Sequence, residues 1–341
     1  MDRTRKSGRR RMGWALTRVL GFVLVCAAVA LPVHARAEGA PDWPARPIRL
    51  IVPTGAGAAT DIMARLVANG IGGGLGQPVV VENMPGASGL LAHQAVARAT
   101  PDGYTLLFTN TSGMSINPVS FKTLPYDPAH DFAAVAMVCS LGPQMLSVDA
   151  ELPVRTVPEF LGYAKANRGK LSIAFDNTAG AAAFAAKLVN RRADLGLVEV
   201  PYRASAQMTQ DAASGVVQVL MSSIAAARAM VEAGKLRRLA VTSASRFPAL
   251  PDLPAVSEFV PGVVMNGWFA VVAPAGTPPD AVARINREIG AYLKGPDIQG
   301  RLFTFGLATE GAGTPGSTAQ FIRADQEQWR ALAKELDVQP Q

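Results

Sequence analysis

Between residues 46 and 65 the chain reads Arg-Pro-Ile-Arg-Leu-Ile-Val-Pro-Thr-Gly-Ala-Gly-Ala-Ala-Thr-Asp-Ile-Met-Ala-Arg. The part suited to chemistry is the loop holding Thr54, Gly55, Ala56, Gly57, Ala58, Thr60 and Asp61. Side chains this small do little themselves, but they let a ligand approach the main chain closely. The apolar run Ile48–Val52 stops at Pro53, and a helix is expected to start near Thr60 or Asp61. Backbone N–H groups and the positive end of that helix would then point above the strand's C-terminal edge, where the natural guest is an anion such as a carboxylate or phosphate. The same residues also suit a plain connecting loop chosen for packing, and the segment alone leaves both readings open.

Enzyme chemistry is poorly represented. Beyond residue 37 there are two histidines, His93 and His130, and one cysteine, Cys139. His93 falls in mid-helix, His130 sits in a Pro-rich loop beside Asp131, and Cys139 lies in an apolar run, so each reads as structural. The sequence contains no His-Glu-x-x-His, Cys-x-x-Cys, Gly-x-Ser-x-Gly or phosphate-binding Lys loop, and its acids are not spaced as metal ligands. An oxidoreductase reading starts from Gly55-Ala-Gly57-Ala-Ala-Thr60 between strand and helix, with Glu82 where a ribose-binding acid would fall. Thr60 in place of the third glycine and Pro53 between strand and glycines count against it. No cofactor and no metal are expected.

Composition and patterning say where the loop works. Residues 1–37 read as a secretory leader: seven basic residues from Arg3 to Arg18, an uncharged apolar stretch from Val19 to Leu31, and Ala35-Arg36-Ala37 as a cleavage site. The apolar stretch is shorter than the ~20 residues of a spanning helix. Arg10-Arg11 is a weak twin-arginine signal, and Cys26 lacks the small residues of a lipoprotein site before it. The leader holds 8 Lys/Arg and 1 acid, so the 33 Lys/Arg and 26 Asp/Glu of the whole chain fall to 25 and 25 beyond it. The exported part is formally neutral, and no nucleic-acid or membrane partner is implied. One remaining cysteine allows no intramolecular disulfide, which suits a bacterial periplasm.

Short β-like runs alternate with helical segments, as in parallel α/β domains, and the length calls for two domains. Strands are predicted at Ile48–Val52, Val79–Val81, Thr105–Phe108, Ala133–Val138, Met145–Val148, Leu171–Phe175, Leu197–Val200, Val216–Met221, Arg238–Thr242 and Phe269–Ala273. Helices are predicted after Asp61, after Gly86-Ala-Ser-Gly89, from the capping box Thr156-Val-Pro-Glu159, after Thr277-Pro278, and over about Ser317–Glu335. The last carries Phe321, Ile322, Trp329 and Leu332 as an apolar stripe.

From about Trp43 to Glu335 the chain resembles the substrate-binding proteins of tripartite tricarboxylate transporters, the Bug receptors. The carriers include Pro47-Ile-Arg-Leu-Ile-Val-Pro53, the loop ending Thr60-Asp61, Leu75-Gly-Gln-Pro-Val-Val-Val-Glu-Asn83 and Pro85-Gly-Ala-Ser-Gly89. Pro101-Asp-Gly-Tyr-Thr-Leu-Leu107, Leu124-Pro-Tyr-Asp-Pro128, Val200-Pro-Tyr-Arg203 and Ala273-Pro-Ala-Gly-Thr-Pro278 follow in order. The resemblance implies an α/β, two-domain periplasmic-binding-protein (type II-like) fold with the ligand cleft between domains. Its parts would be residues 38–143 and 268–341 for one domain and 144–267 for the other, with crossings near Cys139–Pro143 and Val264–Trp268.

The resemblance also implies a non-enzymatic receptor for a small organic carboxylate, gripped by loop backbone and water. On the first domain it points to Thr54 through Asp61, with Asp61 bracing the loop rather than touching ligand, to Ala87 and Ser88, and to Asn110, Thr111 and Ser112. On the second it points to Asn177, Thr178, Ala179, Gly180, Arg203 and Ser222. There the chain departs from the family pattern: Ala183 takes a usual His position, and Gln218, Ser222 and Ser223 replace more polar or charged residues. The second wall is therefore expected to be more apolar. A monomer delivering its ligand to membrane transporter subunits is the leading reading, and an adaptor for a membrane sensor kinase is the alternative that the same cleft would serve.

Overall fold

The computed structural model describes residues 43–140, 142–176 and 180–340. The expected leader with its cleavage site, and Asn177, Thr178 and Ala179, lie outside the described residues. No described helix is long and apolar enough to cross a membrane.

Among the described residues ten strands and ten helices form two five-stranded sheets. The first has the order β2-β1-β3-β10-β4, built from β1 (Ile48–Val52), β2 (Val79–Asn83), β3 (Thr105–Asn110), β4 (Phe132–Cys139) and β10 (Phe269–Pro274). The second has the order β7-β6-β8-β5-β9, from β5 (Gln144–Asp149), β6 (Ser172–Asp176), β7 (Val198–Tyr202), β8 (Val219–Ser223) and β9 (Leu236–Val241). All ten predicted strands are present. The sheets are mixed rather than parallel: β10 runs antiparallel to β3 and β4, and β5 to β8 and β9. These are the two strands that enter their sheet directly from the other one. A strand arriving that way starts where its neighbours end, so its direction is reversed.

Two crossings join the sheets, and they pair with each other. Gly267 N–H donates to Gly142 C=O at 2.7 Å, and Pro143 bridges Asn266. A Cβ at Gly142 would sit 2.8 Å from Gly267 O, so the two backbones touch where a side chain has no room.

Helix α1 (Ala59–Leu75) shows why these segments fold as they do. Met63, Val67, Ile71 and Leu75 recur every four residues and are all buried, and Gly76 at φ 74 ends the helix in the left-handed conformation. Each such side chain contributes ~1.5–3 kcal/mol on burial. Then come α2 (Leu90–Ala97), α3 (Asn117–Ser120, led in by a wide turn at Ser112–Ile116), α4 (Val157–Ala166) and α5 (Ala181–Arg192). They are followed by α6 (Ser205–Ala213), α7 (Ile224–Glu232), α8 (Pro279–Leu293), α9 (Pro296–Thr304) and α10 (Pro315–Glu335).

The α4 capping box forms with a shift. Thr156 accepts from Glu159 N–H, but the Glu159 carboxylate accepts from Arg155 N–H at 2.6 Å. The predicted strand at Val216–Met221 starts three residues later, because Val216 and Val217 N–H both donate to Asp211 C=O at the end of α6. On α10, Ile322 packs in the core beside the first sheet, while Trp329 and Leu332 join that of the second, with Trp329 edge-on to Phe184 at 4.8 Å. Cys139 is buried at the end of β4 and forms no disulfide.

Candidate functional site

A cavity of about 210 Å³ opens between the edges of the two sheets at the paired crossings. Its walls come from seven stretches of chain: Ala59 and Thr60; Asn110, Thr111 and Ser112; Gly142 to Gln144; Ala181; Ser223 to Ala225; Gly267 to Phe269; and Phe305 to Leu307. Among the described residues no Lys, Arg, His, Asp or Glu lines it.

What the lining offers instead is backbone at the starts of helices. Helix α1 is preceded by Ala58, which cannot cap it, so the N–H groups of its first turn have no intrahelical acceptor. Gly180 leads into α5 with the same result. Ser223 caps Ala226 N–H of α7 at 3.3 Å, while the Ile224 and Ala225 N–H groups, on residues that line the cavity, have no intrahelical acceptor. Thr111 is fixed by Trp268, donating its N–H to Trp268 C=O and accepting Trp268 N–H at 2.8 Å. Several partial positive charges therefore converge on one cavity without a side-chain cation. Trp268, Phe269, Phe305, Leu307 and Ile224 supply apolar walls.

Of the residues singled out from the sequence, Thr60, Asn110, Thr111 and Ser112 line this cavity. Gly180 is buried at the start of α5, next to the lining Ala181. Gly55, Ala56 and Gly57 are exposed and Ala58 half-buried, on a loop beside the cavity rather than in its wall. Gly57 has φ +83, and its N–H is engaged by Asp61 Oδ2 at 2.9 Å, while Ala58 N–H returns to Gly55 C=O. Thr54 carries a buried hydroxyl without a hydrogen-bond partner, and its C=O accepts from Asn83.

Asp61 is buried and fully engaged. Its carboxylate takes Gly57 N–H, Arg65 at 3.1 Å and Asn83 Nδ2 at 2.8 Å. Burial alone would raise its pKa, but the Arg65, Gly57 and Asn83 donors together hold it below the ordinary carboxylate range. Ala87 and Ser88 are exposed, in left-handed conformation at φ 47 and 55, with Ser88 C=O held by Asn117. Arg203 is exposed before α6 and Ser222 is buried within β8, and neither lines the cavity. Gln218 sits at the far end of β8, bonded to Ser172 and Gly215, and Ala183 is packed in the core, so the departures from the family pattern at these two positions do not face the cavity.

Glu82 is tied to Arg49 by two 2.7 Å hydrogen bonds across β1 and β2, which occupies both its oxygens. His93 is wholly buried. Its Nδ1–H donates to Gly89 C=O at 2.8 Å, so Nε2 accepts from Thr109 Oγ1 at 2.8 Å, and burial pushes its pKa down to about 4. It is a neutral brace behind the loops around the cavity.

Sequence reasoning placed Ser223 in the second wall but missed the lining from both crossings, Ile224 and Ala225, and Phe305 to Leu307. Ser223 carries the readable signal of a Ser that ends a strand and caps the helix after it. Phe305 to Leu307 carried none.

Residues 63–338 match the family described as the tripartite tricarboxylate transporter family receptor. The chain belongs to that family. It is 35% identical over 328 residues to a UPF0065 protein of Bordetella bronchiseptica, covering 95% of this chain and 96% of the other. Among solved structures, Rpa4515 of Rhodopseudomonas palustris with adipate shares 33% identity at a TM-score of 0.77, over 88% of this chain and all of that one. MatC from the same organism, with bound malate, shares 28% at a TM-score of 0.71, over 85% and 99%. This tripartite tricarboxylate transporter receptor therefore has the two-domain periplasmic-binding-protein fold, and its family is one of solute receptors rather than enzymes.

Proposed function

We propose that this protein is an exported receptor that captures a small organic carboxylate in the cavity between its two domains and delivers it to membrane subunits of a tripartite tricarboxylate-type transporter. The observation that carries the reading is a cavity at the starts of α1, α5 and α7 with no charged side chain in its lining. Backbone dipoles in a partly enclosed site hold a carboxylate without a cation. Adipate and malate in two relatives support an organic acid as the class. The domains are residues 38–143 with 268–341, and 144–267; closure about the Gly142–Gly267 crossings encloses the ligand. The leader-like residues 1–37 support export of the receptor to the periplasm.

The apolar walls favour a carboxylate with an apolar or aromatic body over citrate, because they cannot repay the desolvation of extra carboxylates. A thermal-shift panel of organic acids on the mature protein, followed by calorimetry, tests this. A ligand at about 100 times its dissociation constant stabilises by ~2.7 kcal/mol. No shift with any acid overturns the receptor reading, and tighter binding of citrate than of a matched monocarboxylate overturns the ligand class.

A further inference from the structure

We propose that Ile224 sets the length of ligand the cleft accepts, and that the space behind it is a second compartment for the anionic tail of a longer acid. The inference rests on the receptor reading above. A second cavity of about 510 Å³ lies beside the first, and Ile224 and Gly306 belong to the walls of both. Gly306 has φ +71, and a Cβ built there would sit 2.6 Å from Ile224 Cβ. One residue of the contact is therefore bare backbone. Among the described residues Ile224 is the one side chain that belongs to both walls, and it stands at the start of α7 against a position with no room for a second.

The compartment behind has its own chemistry. Met145, Phe247, Leu250 and Phe303 give it apolar surface, and Arg228, Arg238 and Glu232 line it as well, two positive charges against one negative. Arg228 is already held by Glu232 at 2.7 Å and by Thr304 C=O at 3.4 Å. Among the described residues the Arg238 guanidinium has no hydrogen-bond or ion-pair partner, and it is exposed to whatever enters. The front compartment grips one carboxylate by backbone alone; the rear suits a second carboxylate at the end of an apolar chain. With Ile224 in place the two are separate, and short acids are favoured. With its outer carbons removed they join.

The test is calorimetry of α,ω-dicarboxylates of about four to ten carbons, and of the matching monocarboxylates, on the mature protein, on Ile224→Ala and on Ile224→Ala/Arg238→Gln, with circular dichroism to confirm folding. The expected result is that the ratio of affinities for the longest diacid and the four-carbon diacid rises at least ~10-fold in Ile224→Ala relative to the parent, about 1.4 kcal/mol. Adding Arg238→Gln removes most of that gain for diacids and leaves the monoacids unchanged. If Ile224→Ala does not fold, Ile224→Val must move the length preference in the same direction. A parent that binds short diacids while the variant keeps the same length profile overturns the partition and leaves the receptor reading standing. A series in which no protein binds any acid overturns both.

Discussion

Gly57 gives its backbone N–H to Asp61 Oδ2 at 2.9 Å, and through that bond the small-residue loop of the first domain is tied to the first turn of α1. The loop's main chain is thereby held from within, while the N–H groups of the α1 start, one residue further on, remain for a ligand. Arg65 and Asn83 on the same carboxylate make the brace rigid.

Asp61→Ala removes the acceptor of three donors at once. A buried hydrogen-bonded charge is worth ~1.5–3 kcal/mol, so a stability loss of about 2–3 kcal/mol is expected, together with weaker ligand binding as the α1 start shifts. Urea unfolding and titration of the same samples check both. An unchanged midpoint would mean that the brace does not hold the loop.

Gly57→Val places a β-branched residue at φ +83, where nothing crowds its Cβ but the backbone itself is unfavourable. The expected cost is ~1–2 kcal/mol, with ligand affinity falling and the far-ultraviolet spectrum unchanged. Full affinity in a folded variant would show that the loop's conformation does not matter to the site.

Gly142→Ala acts at the crossings, where its Cβ would meet Gly267 O at 2.8 Å and Leu307 at 2.9 Å. Forcing the backbones apart is expected to destabilise by ~1–3 kcal/mol and to weaken ligand binding, since both crossings line the cavity. Calorimetric titration and thermal melts of the variant beside the parent measure the two effects.

Ligand affinity should depend only weakly on salt. Short-range backbone dipoles in a partly enclosed cavity are screened far less than exposed ion pairs, so the dissociation constant should change by less than about threefold between low salt and ~0.5 M. Arg203→Ala, exposed and outside the lining, should leave it unchanged. A tenfold loss with salt that Arg203→Ala abolishes would put a direct ion pair in the site.

His93 makes stability fall with acid. Its folded pKa is about 4 against 6.5 for the free side chain, because burial disfavours the imidazolium. Below pH 6.5 the unfolded chain takes up a proton that the folded one refuses. The contribution is therefore complete above pH 6.5 and is lost as the pH drops toward 4, by about 3 kcal/mol in all. His130 is exposed and raised by Asp127, which acts in the opposite sense. Urea unfolding between pH 7.5 and 4.5 should show the slope, and His93→Gln should flatten it from a lower starting stability. A flat profile in the parent would overturn this reading of His93.

Much of the architecture was legible in the chain because it is local. Alternating apolar runs, Gly76 after α1 and the turn Pro101-Asp102-Gly103 are decided by neighbours a few residues away, and all ten strands lie within about three residues of where those signals place them. The small-residue loop likewise announced a helix start near Thr60 or Asp61; the helix begins at Ala59, without a side-chain cap. The sequence alone could not tell that Gly57 N–H is used inside the loop. Nor could it tell that Gln218 points to the far end of β8 while Ser223 faces the cavity, since a shift of a few residues in a strand's start changes which side chains reach its cleft end. The reversed directions of β5 and β10 follow from the paired crossings, a contact between segments more than a hundred residues apart. Phe305 to Leu307 line the site only because α9 packs its end against Ile224; nothing within their own stretch of chain carries that information, because a cavity is a property of surfaces brought together by packing.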